Sequence, residues 1–367
     1  MIRRRFAARR CALAFVLAAP AGCGSRAPNS MHAKPSTAEV ESATAAGARF
    51  LASYVDPDGR VVRRDQGGDT VSEGQAYAML IAVALGDERL FDTIWSWTRD
   101  NLRRPDGLLA WHWDGRILDP GPASDGDIDA AHALHLAGAR WHRDDLRRSS
   151  AELGHAILTG LTAPSGSATV LAAGLWGRSS PATINPSYLA LRAFQDLAAA
   201  PSTSPTDRRA WQRLLAGSHR ALNDLTRQGR TLPPDWATVT TSGVAAPVSG
   251  PAGESVRYSF DATRVPLRLG QSCAPADREV AASLASRLAG AADGTVDLHL
   301  DGTIAAPQRS PAAVVALATA QLAGGNRDKA NRSLAGAADL DRTMPTYFGS
   351  ALIALGAIAS AQMNGQC

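Results

Sequence analysis

The chain has 367 residues, 45% of them hydrophobic, which is enough for one large domain or two small ones with a full core. Its formal charge of +4 depends on five arginines in the first 22 residues, a stretch without acidic residues: Arg3, Arg4, Arg5, Arg9 and Arg10. Without these five, 33 of the 38 basic residues remain against 34 acidic ones. A near-neutral chain gives no electrostatic case for binding nucleic acid.

Residues 1–22 are predicted to be an export signal. A basic stretch precedes an apolar run from Cys11 to Ala19, which is typical of bacterial signals and too short to span a bilayer. "RRRF" also loosely matches a twin-arginine start. Residues 23–37 form a polar tether, and "APAGC" is similar to a lipoprotein cleavage site at Cys23, although Pro20 stands where Leu is usual. We expect an exported protein, periplasmic or secreted; the sequence leaves a membrane anchor through Cys23 undecided.

From residue 38 onward, apolar residues recur at helical spacing. The predicted helices are 38–54, 73–85, 88–102, 127–141, 144–160, 186–199, 206–228, 276–289, 310–323, 326–338 and 347–362. Residues 295–304 alternate and predict a short hairpin, and 229–260 is the longest irregular stretch. Residues 38–367 are therefore predicted to be one all-α domain, a toroid of paired helices or a helical solenoid. A sequence repeat of fixed period, as in TPR or HEAT arrays, is not seen.

Three acidic stretches stand out: "TVSEGQAYAML" with Glu73, "ASDGDIDAAHALHLAGARW" with Asp125, and "RYSFDATRVP" with Asp261. Glu73 has a structural explanation as well as a catalytic one. The helix dipole favours an acid in the first turn, and Ser72 with Gln75 would form a capping box.

The alternating acids of Asp125–Asp129 first suggest calcium. An EF-hand needs Gly and Glu where this chain has Ala130 and Leu136. His132 and His135 share a helix face without a third ligand nearby, so we expect them to be packed or exposed histidines. Neither a metal nor a cofactor is predicted, since no dinucleotide or P-loop motif is present.

Six motifs occur in the order seen in glycoside hydrolase family 8, and the chain resembles that family over roughly residues 40–362: "TVSEGQAYAML", "LRRPDGLLAWHWD", "ASDGDIDAAHALHLAGARW", "INPSYL", "FDATRVP" and "YFGSALIALG". The likeness is closest to the periplasmic endoglucanases encoded with bacterial cellulose synthases. Ala130, His135 and Phe348 depart from the usual residues without removing the matched acids. The resemblance implies an (α/α)6 barrel that hydrolyses β-1,4-glycosidic bonds with inversion.

The resemblance also implies roles for individual residues. Glu73 would be the general acid, Asp261 the general base, and Asp125 would bind and distort the sugar at the cleavage point. Of Asp127 and Asp129, one would hold the helix start and the other would be solvated. The substrate-binding residues implied are Trp113, Trp176, Tyr188, Arg264, Tyr347 and Asp127.

An inverting mechanism needs one protonated carboxyl and one carboxylate, about 6.5–9.5 Å apart. Glu73 must then stay protonated near neutral pH, although a helix N-terminus favours its ionised form. We therefore expect partial burial and a neighbouring carboxylate, Asp125, to raise its pKa.

Several alternatives stay open from the sequence. The same machinery could act on chitosan, xylan or mixed-linkage glucan, or the chain could be a non-catalytic polysaccharide-binding or scaffold protein. The expected partners are a β-glucan substrate and cellulose-synthesis machinery, with no nucleic acid, and a monomer is expected. A disulfide between Cys273 and Cys367 is permitted outside the cytoplasm, and free thiols are an equal alternative.

Overall fold

The structure is a computed structural model, and it describes residues 35–362. Within that range the helices are α1 Thr37–Tyr54, α2 Ser72–Leu85, α3 Glu88–Leu102, α4 Ser124–Arg140, α5 Asp144–Gly160, α6 Leu191–Ala199, α7 Pro205–Thr226, α8 Val265–Gln271, α9 Pro275–Leu284, α10 Pro311–Ala323, α11 Arg327–Thr343 and α12 Tyr347–Gln362.

The even-numbered helices form a closed inner ring. Each one contacts the next, from α2 through α10 to α12, and α12 contacts α2 again. Each odd-numbered helix packs on the outside against an even-numbered neighbour: α1 on α12, α3 on α2, α5 on α4, α7 on α6, α9 on α8 and α11 on α10. The architecture is the predicted (α/α)6 barrel.

The sequences of the two rings explain their positions. Inner helices such as α10 (PAAVVALATAQLA) and α12 (YFGSALIALGAIASAQ) are apolar on all sides and almost wholly buried. A helix of this kind is stable only when neighbours surround it. Outer helices such as α3 and α11 carry an apolar stripe on one face and charged residues on the other.

All the strands of the described range lie in connections that lead from an outer helix to the next inner helix. One sheet contains β1 Thr70–Val71, β2 His112–Trp113 and β3 Ile117–Asp119, and a hairpin joins β4 Thr162–Ser165 to β5 Ala168–Leu171. Another sheet contains β6 Ala182–Ile184, β7 Ala237–Val239 and β8 Ala245–Pro247, and a second hairpin pairs β9 Thr295–Leu298 with β10 Ile304–Arg309. The connections at the other end of the barrel are short, so the long loops gather where the inner helices begin.

The structure corrects three expectations about local structure. The stretch 229–260 is not wholly irregular, because it contains β7 and β8. Helix α8 was missed because seven residues are too few to display a helical period. Helix α6 begins at Leu191, after a separate 3-10 turn at Pro186–Tyr188. The hairpin predicted at 295–304 is confirmed.

The predicted export signal, residues 23–34 of the tether, Cys23 and Cys367 lie outside the described residues. Cys273 is disulfide-bonded, and the three other cysteines of the chain all lie outside the described range. Between residues 35 and 362, none of the helices combines the length and the apolar character needed to cross a membrane.

Candidate active site

Three carboxylates that are far apart in the chain converge on one guanidinium, that of Arg264. Its Nη1 donates to Glu73 Oε2 at 2.6 Å and to Asp125 Oδ2 at 2.8 Å, and its Nη2 donates to Asp261 Oδ1 at 2.6 Å. The Arg264 side chain is 2% exposed, whereas the side chains of Glu73 and Asp261 are 18% and 33% exposed. Arg264 thus lies beneath two acids that reach solvent.

The geometry of Arg264 limits the distance between Glu73 and Asp261. The two donating nitrogens are bonded to one carbon by partial double bonds, so the two acceptor oxygens are at most about 8 Å apart when each contact is 2.6 Å. That limit lies below the upper end of the separation used by inverting glycosidases, about 9.5 Å. The contacts to Arg264 are thus compatible with an inverting pair, whose carboxyls lie about 6.5–9.5 Å apart.

Small residues bring Glu73 and Asp125 together at the starts of α2 and α4. A Cβ added to Gly126 would lie 2.2 Å from Ser72 Oγ, so only glycine allows the first turns of the two helices to touch. The predicted capping box is wrong, because Ser72 is the first residue of α2 and its hydroxyl makes no cap hydrogen bond. Gln75 instead accepts from Val61 N at 2.6 Å.

Tyr347 approaches Glu73 from the start of α12. Its hydroxyl donates to Glu73 Oε1 at 3.1 Å, and its backbone N–H donates to Asp65 Oδ1 at 3.0 Å. A Cβ added to Gly74 would lie 2.8 Å from the Tyr347 hydroxyl oxygen. The sequence Ser72-Glu73-Gly74 therefore places an acid between two residues small enough for other helices to close around it.

The electrostatic environment raises the pKa of Glu73 to about 7. Burial of the carboxyl is the largest cause, and the charges of Asp125 and Asp261 act in the same direction. Arg264 and the Tyr347 hydroxyl lower the pKa but do not cancel these effects. The cause proposed from the sequence, burial together with Asp125, matches the structure, and Asp261 adds to it.

Asp125 lies deeper than the other two acids. Its side chain is 3% exposed, and it accepts from Gly126 N at 2.9 Å as well as from Arg264. Burial raises the pKa of Asp125 as well, with the charge of Arg264 opposing. In this arrangement Asp125 balances part of the charge of Arg264 and holds its guanidinium in place.

The structure places Asp127 and Asp129 differently from the expectation. Both are fully buried, so neither is solvated, and Asp127 has no surface with which to contact a sugar. Asp127 accepts from Leu109 N at 2.8 Å, and burial raises its pKa well above the usual value. Asp129 forms a bidentate pair with Arg268 at 2.8 and 2.6 Å. Both hold the barrel together beneath the site.

The predicted aromatic residues divide into two groups. The Trp176 ring is 6.0 Å from the Trp236 ring, which is 6.5 Å from Tyr188, and Tyr188 lies 5.2 Å from the Arg264 guanidinium carbon. Because Trp176 is 55% exposed, these rings form a row from solvent to the acids. Trp113 is more enclosed: its ring packs edge-on against Trp97, and Arg60 lies 4.6 Å above it.

Sequence reasoning did not assign a role to several residues of the site. Tyr77 accepts from Arg264 Nη1 at 3.0 Å, and it lies four residues after Glu73, on the same helix face, so the spacing could have identified it. Asp235 and Trp236 come from a loop, where no period relates them to the other residues.

His132 pairs with Asp196 at 2.9 Å, as a packed histidine. Among the described residues, no group of three or more His, Cys, Asp and Glu side chains could hold a metal.

Comparison with known proteins gives one family over most of the chain. The sequence profile of "Glycosyl hydrolases family 8" matches residues 30–362. An endoglucanase of Xanthomonas axonopodis pv. citri is 35% identical over 260 residues, covering 66% of this chain and 64% of that protein. An endoglucanase of Cellulomonas uda is 30% identical over 226 residues, or 60% of this chain and 61% of that protein. The chain thus spans just under two thirds of these curated relatives.

Solved structures share the fold. The endo-β-1,4-glucanase CMCax of Acetobacter xylinum superposes with a TM-score of 0.70 at 27% identity, covering 88% of this chain and 99% of that one. A β-1,3-1,4-glucanase of Paenibacillus sp. X4 has a TM-score of 0.75 at 19% identity, covering 91% and 96%. At so low an identity the second likeness shows the fold alone.

Proposed function

The chain belongs to glycoside hydrolase family 8, and on this premise we propose that it is an endo-acting β-1,4-glucanase with an inverting mechanism. The observation that carries the proposal is the convergence of Glu73, Asp125 and Asp261 on Arg264. The similarity to proteins named endoglucanase supports a β-1,4-glucan as substrate.

In the proposed reaction Glu73 and Asp261 act on opposite faces of one sugar. Glu73 gives its proton to the glycosidic oxygen while the bond from that oxygen to the anomeric carbon breaks. A water molecule forms the new bond to the same carbon from the other face, and Asp261 takes the proton that this water loses. The proton then leaves Asp261 to solvent, and solvent returns one to Glu73.

Arg264 explains how the two acids keep opposite protonation states. One guanidinium cannot neutralise three ionised carboxylates that lie within 2.8 Å of it, so retaining a proton on one of them lowers the repulsion. Glu73, with a pKa of about 7, holds that proton below neutral pH. The Asp261 side chain is more exposed than that of Glu73, so water can reach it. In the proposed reaction its carboxylate accepts the proton of the attacking water.

The row Trp176, Trp236 and Tyr188 is the proposed path of the sugar chain. Indole and phenol rings stack well on the apolar faces of pyranose rings. We expect Trp176 to contribute to polymer binding more than Trp113, because Arg60 and Trp97 already cover part of the Trp113 ring.

The test assays carboxymethylcellulose, chitosan, xylan and lichenan side by side. We expect more product release from carboxymethylcellulose than from chitosan or xylan. An endo-acting enzyme should lower the viscosity of carboxymethylcellulose early, before much reducing sugar appears. Faster turnover of chitosan or xylan would move the proposal to that polymer. Turnover of none of the four would favour a non-catalytic polysaccharide-binding protein.

We also propose that the protein is exported, with residues 1–22 as the signal and a tether that runs from residue 23 to the start of α1, and that Cys23 is the lipid attachment point. The N-terminal sequence is the support for this. Fractionation of cells that express the full chain tests it: recovery from the cytosol alone would overturn export, and an unchanged membrane fraction in Cys23→Ala would overturn the anchor. A link to cellulose-synthesis machinery stays a prediction from the resemblance.

A further inference from the structure

Asp235 holds the loop that carries Asp261 on both sides of that residue. A single oxygen, Asp235 Oδ1, accepts from Ser259 N at 3.0 Å and from Ala262 N at 2.8 Å. These two amides lie two residues before Asp261 and one residue after it. The backbone of Asp261 is therefore bent around the Asp235 carboxyl.

Backbone hydrogen bonds to Asp235 and to β9 hold the residues just before this part of the loop. Asp235 N donates to Arg257 O at 2.8 Å, so the two segments hold each other through both backbone and side chain. On the other side, Tyr258 exchanges two backbone hydrogen bonds with Leu298 of β9, at 3.0 and 2.9 Å. Between Tyr258 and the 3-10 turn Ala262–Arg264, the Asp235 side chain binds the backbone on both sides of Asp261, together with hydrogen bonds from Thr263 to Ser259 O and Phe260 O.

We propose that Asp235 is a positioning residue for the reaction, which fixes the carboxylate of Asp261 at the distance from Glu73 that the attacking water needs. This inference rests on the proposed function, in which Asp261 is the general base. Asp235 does not touch the sugar or the water; it acts through the Ser259 and Ala262 amides. A displacement of about 1 Å in such a group can cost on the order of 10²-fold in rate.

The electrostatic surroundings of Asp235 favour its uncharged form. Burial and the charge of Asp261 raise the pKa of Asp235 to about 7, with the two backbone amides opposing. In its uncharged form Asp235 still accepts from both amides and places no second negative charge beside the base. Acids with strongly raised pKa values gather at catalytic sites, which agrees with a role in the reaction.

The test compares three substitutions at Asp235 on the full-length chain, with cellopentaose as substrate at pH 6. Asp235→Ala removes the acceptor and should lower kcat about 10²-fold while KM changes little. Asp235→Asn keeps an acceptor oxygen and, below pH 7, resembles the protonated acid, so kcat should stay within about fivefold of wild type. Asp235→Glu keeps the carboxyl but moves the acceptor by one methylene, and kcat should fall about tenfold.

Asp301→Ala is the matched control. Asp301 accepts from Thr303 N at 2.9 Å and from Thr303 Oγ1 at 2.7 Å, so it shapes a turn in the same way, between β9 and β10. We expect it to leave kcat unchanged and to lower the thermal unfolding midpoint less than Asp235→Ala does, because Asp301 is exposed and water can replace it at the released amide.

Rescue by Asn together with loss in Ala and Glu supports the inference. Equal losses in Asn and Ala would overturn it, because the charge and not the geometry would then matter. A wild-type kcat in Glu would overturn it too, and this variant decides the question if the Ala variant does not fold. If the wild-type chain does not hydrolyse cellopentaose, the proposed function fails and the inference fails with it; an active wild type with an equally active Asp235→Ala refutes the inference alone.

Discussion

Glu73→Gln is expected to lower kcat on cellulose-type substrates by about 10²–10⁴-fold, the usual contribution of a general acid. Glutamine keeps the shape of the side chain: its one amide oxygen can accept from Arg264, and its NH2 group can donate to the Tyr347 hydroxyl oxygen. It has no acidic proton to give to the glycosidic oxygen. Arg264 remains paired with Asp125 and Asp261, so the fold and the affinity for the sugar chain should change little. Steady-state kinetics on cellopentaose, with binding measured by calorimetry, separates these effects.

A substrate with an activated leaving group distinguishes an acid from a merely structural Glu73. The dinitrophenolate group of a dinitrophenyl cello-oligoside leaves without being protonated. Glu73→Gln should therefore lose far less activity on this substrate than on cellopentaose. Glu88→Gln is the control, since Glu88 is also an acid in the first turn of a helix but pairs with Arg143 away from the cleft. Equal losses on both substrates would reassign the general acid.

The pH profile tests the same role. Because the pKa of Glu73 is raised to about 7, its carboxyl is protonated below that pH and ionised above it. Activity that needs the proton should be fully present below pH 7 and fall as the pH rises through that value. We expect this alkaline limb in kcat/KM of the wild type, and we expect the residual activity of Glu73→Gln to lack it.

The fold was predictable because helical periodicity is a strong signal in long helices. Helix α2 and helix α5 were located within one residue of their bounds. Short elements that depend on partners elsewhere in the chain were not predictable in this way. Strand β7 pairs with β6, which lies more than fifty residues earlier in the chain. A pattern of three residues cannot predict such a pairing.

The site was predictable as a set of motifs but not as a geometry. The sequence pointed to Glu73 and Asp261, and burial by several helices then explains the raised pKa of Glu73. The central position of Arg264 could not be read from its spacing to Asp261, because the two contacts to Glu73 and Asp125 come from other helices. The prediction that Asp127 binds the substrate was wrong for a related reason. The sequence does not show that Asp125 faces Arg264 while Asp127, two residues later, turns inward and accepts from Leu109 N.

Asp261→Asn is expected to lower kcat by about 10²–10⁴-fold, with no covalent sugar on the enzyme at any stage. In the proposed reaction Asp261 activates water and never bonds to the sugar. Arg264 binds its Oδ1, and a third of the side chain is exposed, which suits a water molecule at the other oxygen. The amide would still fill that position, but it cannot accept the proton.

Asp339→Asn is the matched control for this variant. Asp339 pairs with Arg342 three residues later, as Asp261 pairs with Arg264, but both side chains of this pair are 65% exposed on α11. Wild-type kcat in Asp339→Asn would show that losing such a pair is harmless in itself. Mass spectrometry of Asp261→Asn during turnover checks for a trapped sugar.

The stereochemistry of the wild-type product decides whether Asp261 is a base or a nucleophile. A base must leave room for water between its carboxylate and the sugar, whereas a nucleophile forms a bond that a second step breaks. Proton NMR of the first product from a β-linked cello-oligosaccharide should therefore show the α-anomer, before mutarotation mixes the two forms. An initial β-anomer would mean double displacement, and the role of Asp261 as a base would have to be withdrawn together with the positioning role of Asp235.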